Sequence, residues 1–103
     1  MATTPTQRSL KYFRDLGYTC GITEHWNSHV GIRQDLFGII DILCVGNGET
    51  IGVQCTSKNG FSARVKKVRE SDVLLELKAS GWRIIIQGWY KAGNRWRRRE
   101  VEL

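Results

Sequence analysis

The stretch Leu36–Lys58, LFGIIDILCVGNGETIGVQCTSK, decides how the rest of the chain is read. Two apolar runs flank Asn47-Gly48. Asn-Gly between β-rich segments is a strong hairpin signal, because a type I′ turn needs φ > 0 at both central residues. With that pair at the centre, Gly46 faces Glu49 and, counting outward, Asp41 faces Gln54. Directly opposed side chains share a face, with Cβ atoms about 5 Å apart. Thr56 falls on that face by the period of two, and Lys58 continues it if the strand runs that far. Ile40, Ile42, Ile51, Val53 and Cys55 take the other face. A slip of one residue would carry Asp41 away from Gln54 to the opposite face. The plainer alternative for Asp41, Gln54 and Thr56 is a hydrogen-bonded ladder on a solvated sheet.

Asp41, a hairpin turn, then Gln54-Cys55-Thr56-Ser57-Lys58 resembles the core of the PD-(D/E)xK nuclease superfamily. The likeness is to small single-domain members such as Holliday-junction resolvases and virus-type replication and repair nucleases. In that family an Asp on one strand and a Glu on the next hold a divalent metal, and a Lys two residues on positions the attacking water. Asp41 matches the first acid. Gln54 stands where the second carboxylate belongs and Thr56 where the Lys belongs, so two of three positions depart from the pattern. Gln still offers a carbonyl oxygen, and Lys58, one pleat further on, can replace the missing Lys.

The chain has 103 residues, enough for one domain with a single core. Sixteen Lys and Arg against ten Asp and Glu give a net charge of +6. That balance favours a polyanionic partner, nucleic acid being the commonest, although a domain can simply be basic. The three cysteines show no CxxC and no zinc spacing. Cys44 faces Ile51, four residues from Cys55, too far for a disulfide, so buried thiols in a reducing cytoplasm are expected. No apolar run is long enough for a membrane span and no signal peptide is visible.

Thr4-Pro5-Thr6-Gln7 is a helix start: Thr4 caps, Pro5 suits the first turn and Gln7 completes a capping box. Leu10, Phe13 and Leu16 follow at helical spacing, and Gly17 ends the helix. Tyr18–Glu24 reads as a strand and His25–His29 as a polar loop, whose histidines are more simply loop residues than metal ligands. Asp35 has the strand parity of Asp41; Arg33 and Asp35 can equally form a surface ion pair. After Asn59-Gly60, a helix capped by Ser62 is expected to run to about Ala79 on an apolar row of Val65, Val68, Leu75 and Ala79. Its first turns hold Arg64, Lys66, Lys67 and Arg69, poorly placed for the helix dipole, which favours an outside role such as phosphate contact. Trp82–Tyr90 reads as a third central strand, and Arg95–Leu103 as a charged edge strand. Arg95, Arg97, Arg98 and Arg99 either guard that edge or contact nucleic acid, with Trp89 or Trp96 stacking on a base.

The expected fold is α/β, an αβββαββ mixed sheet flanked by helices, restriction-endonuclease-like by the resemblance. The family likeness implies a Mg²⁺- or Mn²⁺-dependent endonuclease that hydrolyses DNA, with Asp41, Gln54, Thr56 and Lys58 at the reaction. The metal would be held by Asp41, the Gln54 carbonyl and the backbone carbonyl of Cys55, helped by Glu24 or Asp35. Arg33, Arg64, Lys66, Lys67 and the arginines of the last strand would contact DNA. Such enzymes commonly act as homodimers, because two strands need two sites, and a chain this compact suits a bacterial or viral genome. The alternative is a degenerate module that binds nucleic acid without cutting it. A third reading is an interaction protein that turns its Trp-rich last third toward an acidic partner.

Overall fold

A computed structural model describes residues 3–103. Helix α1 (Pro5–Asp15) opens on the expected capping box: the Thr4 hydroxyl accepts from the Gln7 N–H at 3.2 Å, and the Gln7 side chain accepts from the Thr4 N–H. Gly17, at φ 97°, closes it in the left-handed conformation. Strand β1 (Thr19–Ile22) follows, then a small hairpin of β2 (His25–Asn27) and β3 (Ile32–Gln34). The main hairpin is β4 (Ile42–Gly46) and β5 (Glu49–Ser57), with Asn47 and Gly48 both at positive φ in its turn. After a 3₁₀ turn at Lys58–Gly60 come α2 (Phe61–Arg69), α3 (Leu74–Ala79), β6 (Trp82–Ala92) and β7 (Arg95–Glu102).

Five strands form a mixed sheet in the order β1-β4-β5-β6-β7, and β2 and β3 pair separately. Gly46 pairs with Glu49 and Ile42 with Val53, the register expected from the turn. The β5–β6 pairing is parallel, and α2 and α3 make the crossover. Phe13 of α1 packs on one sheet face with Cys20, Ile42, Cys44, Ile51, Val53, Cys55 and Ile85. Phe61, Val68 and Leu77 cover the other face with Ile39, Ile40, Ile84 and Ile86. Two glycines make this second layer thin. A Cβ on Gly52 would lie 2.7 Å from Ile40 Cδ1, and one on Gly88 would lie 2.7 Å from Phe61 Cδ1.

Several expectations are corrected. The single helix to Ala79 is two, broken at residues 70–73, where the Ser71 hydroxyl accepts the Val73 N–H at 3.3 Å and competes with the helical ladder. The break resets the helical phase, so Leu75 is exposed while Leu77 is buried. Residues 25–27 belong to a strand rather than to a polar loop. Ile40 lies on the face opposite to Ile42, because the chain bends at Asp41 before β4 begins. The cysteines are buried free thiols, as expected, and Cys20 pairs directly across from Cys44. No helix among the described residues is long and apolar enough to cross a membrane.

Candidate metal centre

Asp41 sits where β4 peels away from β5. Its backbone still belongs to the ladder, with the N–H donating to the Val53 carbonyl at 2.8 Å. Beyond that point its side chain takes over the role of a partner strand: Oδ2 accepts the Cys55 N–H at 2.9 Å and the Gln54 Nε2 at 2.7 Å. The sequence register placed Asp41 opposite Gln54, and the two side chains do meet. The other oxygen, Asp41 Oδ1, is buried and has no hydrogen-bond partner. A buried acceptor left unsatisfied costs about 1–3 kcal/mol, more when charged, so a donor or cation at that position would be stabilising.

The segment before Asp41 delivers two more acids. Phe37 and Gly38, both at positive φ, turn the chain so that Leu36 bridges back to Ile40. Asp35 thereby returns beside Asp41 through a turn, not along a continuous strand. Glu24 arrives from the other side, between β1 and β2. Ligand oxygens of Glu24, Asp35 and Asp41 lie within 4.8 Å of one another, a group that can hold a metal ion. The resemblance left Glu24 and Asp35 as alternatives; the structure brings both to Asp41.

Glu24 and Asp35 line a cleft of about 660 Å³ with Arg33, Gln34, Gly38, Arg64 and Lys67, and the buried Asp41 is grouped with them. Each acid has a polar neighbour. Arg33 Nη1 lies 3.0 Å from Glu24 and Lys67 Nζ 3.6 Å from Asp35. Gln54 Nε2 also approaches Asp35, at 3.3 Å, while Arg64 donates to Gln54 Oε1 at 3.4 Å. Gln54 therefore turns its NH₂ toward the carboxylates and its carbonyl toward Arg64. A role as carbonyl ligand requires the amide to rotate by half a turn. Burial, together with the hydrogen bond and charge of Asp35, pushes the Asp41 carboxyl up to about 7, against the opposing pull of the Cys55 N–H.

The remaining expected residues lie elsewhere. β5 ends at Ser57, so Lys58 does not continue the Gln54 face; it is exposed, and its ammonium lies 4.8 Å from the centre of the Tyr90 ring. Thr56 is buried beneath the 3₁₀ turn, where a Cβ on Gly60 would meet its hydroxyl at 2.5 Å. The basic residues of α2 divide by helical period. Arg64 and Lys67 face the cleft, whereas Lys66 and Arg69 line a separate groove with Arg99 of β7. Arg95, Arg97 and Arg98 border a recess beside Tyr90 and Trp96, and Arg98 is held by Tyr12 and Glu100. Trp89 is buried and donates to the Ser9 hydroxyl at 2.8 Å, which removes it from base stacking. The Arg8 guanidinium covers one face of the Trp96 ring, 3.3 Å from its centre. His25 and His29 are exposed and stand apart from the acidic group. Sequence reasoning passed over Gln34 and Gly38 as cleft residues; an i, i+3 count on α2 would have separated Arg64 and Lys67 from Lys66 and Arg69.

Comparison with protein-family models, with characterised proteins and with solved structures gives no match to the chain.

Proposed function

We propose that the chain is a metal-dependent nuclease that hydrolyses phosphodiester bonds in DNA at the Glu24–Asp35–Asp41 cleft. The observation that carries this reading is Asp41, whose Oδ1 is buried and unpartnered, grouped with two further carboxylates that line a cleft alongside Arg33, Arg64 and Lys67. An all-carboxylate donor set fits a hard cation such as Mg²⁺ or Mn²⁺. Bound there, such a cation supplies Lewis acidity toward a phosphate oxygen and acidifies water.

The chain's own groups divide the remaining work. Asp41 is fixed by the Cys55 N–H and Gln54, so its free oxygen holds one direction. Arg33, Arg64 and Lys67 can leave their present partners for the phosphate oxygens of a strand lying in the cleft, where charge-assisted bonds are strongest. Lys67 takes the place expected of Lys58 as the lysine near the acids. The order of elements around the main sheet, with one helix, three strands, the α2–α3 crossover and two strands, supports a restriction-endonuclease-like fold.

A second reading, a module that binds nucleic acid without cutting it, draws on Gln54 and on the departure of Lys58 from the site. The assay that separates the two incubates labelled duplex, single-stranded and four-way-junction DNA with Mg²⁺ or Mn²⁺. Nuclease action requires metal-dependent products that disappear in Asp41→Ala. Salt-sensitive binding without products, unchanged or tightened in Asp41→Ala as phosphate repulsion is removed, establishes the binding module. Binding that ignores salt would reject both in favour of a protein partner.

A further inference from the structure

The β2–β3 hairpin is inserted between two of the three acids. Glu24 immediately precedes β2 and Asp35 immediately follows β3, so the acidic group clamps the base of the hairpin. At the paired strands, His25 faces Gln34, Trp26 faces Arg33 and Asn27 faces Ile32. Trp26 and Arg33 therefore share a hairpin face, and Arg33 lines the cleft and bonds Glu24. Trp26 is 60% exposed, a large indole displayed two residues, about 7 Å of strand, from a candidate metal ligand. None of the three tryptophans of the last strands offers the same surface, since Trp82 packs against the second core layer, Trp89 is buried and Arg8 covers one face of Trp96.

We propose that Trp26 stacks on an unpaired base of the strand whose phosphate lies in the cleft, so that the substrate carries a single-stranded segment at that point. This rests on the nucleic-acid reading of the cleft. Charge and stacking chemistry together select a base as the occupant. The indole lies directly across the hairpin from Arg33, which lines the cleft together with Arg64 and Lys67, cations that suit a polyanion. An exposed ring beside cations is the arrangement that holds single strands, because every base has a π face. A base inside a duplex has both faces covered, so the stack requires one that is already unstacked. Arg33 then grips the backbone while Trp26, directly opposite, holds the base, and the hairpin acts as a finger whose base is fixed by the acids.

The test measures binding of fluorescently labelled oligothymidine, of the same strand with abasic sites, and of a blunt duplex. Buffers contain Ca²⁺, a hard dication that takes the same oxygen ligands. Wild type is expected to prefer the strand with bases over the abasic strand by about tenfold, within the range of one base–aromatic stack. Trp26→Ala should bind the two equally, with duplex affinity unchanged, and Trp26→Tyr should restore the preference. Because Trp26 is exposed, none of these changes opens the core. A Trp26→Ala protein that keeps the wild-type preference overturns the inference, as does a wild type indifferent to bases. Either result leaves Asp41-dependent cleavage untouched, so failure of the stack and failure of the nuclease reading are read separately.

Discussion

Removing one charge from the acidic group should stabilise the metal-free protein. Asp41 moves from its usual 3.8 to about 7 in the fold, chiefly through burial and then through Asp35. A carboxyl whose folded value is raised contributes fully below its unfolded value, and that contribution is lost as pH rises through the folded one. The window here runs from about pH 4 to pH 7, and at about 1.4 kcal/mol for each tenfold change the loss approaches about 4 kcal/mol. In Asp41→Asn the amide oxygen can keep the Cys55 N–H and Gln54 contacts, while the NH₂ replaces the unpartnered oxygen and the group with Asp35 and Glu24 loses one charge. Urea or thermal melts in EDTA should therefore find the variant more stable than wild type at pH 8 by about 2–4 kcal/mol, or roughly 10 °C or more in Tm. Near pH 4 the gap should shrink below about 1 kcal/mol. Mg²⁺ should raise the Tm of wild type at pH 8 and leave Asp41→Asn nearly unmoved. Parallel pH profiles for the two proteins, or a variant weaker than wild type at pH 8, would refute the account of Asp41 as a carboxyl raised by burial and by Asp35.

Three further outcomes follow from the packing and the site. Gln54→Glu adds a fourth carboxylate, so calorimetry should show tighter Mg²⁺ binding, about tenfold, alongside a lower metal-free stability at neutral pH. Gly88→Ala puts a methyl group 2.7 Å from Phe61 Cδ1, and urea unfolding should report a loss of about 1–3 kcal/mol as α2 is pushed off the sheet. Thr4→Ala removes the hydroxyl of the α1 capping box and should cost about 1 kcal/mol by the same measurement, with metal binding unaffected.

The parts of the fold governed by short-range chemistry were legible. Asn47-Gly48 set the register that joins Asp41 to Gln54, and Thr4 with Gln7 set the start of α1. Long-range placement was less accessible. Glu24 and Asp35 are eleven positions apart in sequence and meet because a hairpin lies between them, and nothing in the polar run His25–His29 announced those strands. Lys58 shows the limit of extrapolating a period: alternation holds only while the strand lasts, and a 3₁₀ turn ended it one residue earlier. Ser71 broke a helix whose apolar spacing reads as continuous, because a side-chain oxygen competing for a backbone N–H leaves no mark on hydrophobic periodicity. The arginines of β7 carried charge in the sequence, but only the sheet order shows that they lie two strands away from β5.

The parallel pairing of β5 with β6 bears on how such a site comes into being. Every described cleft residue falls between Glu24 and Lys67, so the full set of acids and cations is synthesised before β6 is made. Until Trp82–Ala92 arrives, β5 is an edge strand, with the backbone of Gln54 and Cys55 open on one side and Ile84 and Ile86 missing from the second core layer. A fragment ending before Trp82 would contain all the candidate ligands and hold none of them in place. Parallel, non-local pairing is the slow kind to form. The site should therefore appear late and all at once, its chemistry waiting on a strand that contributes no side chain to it.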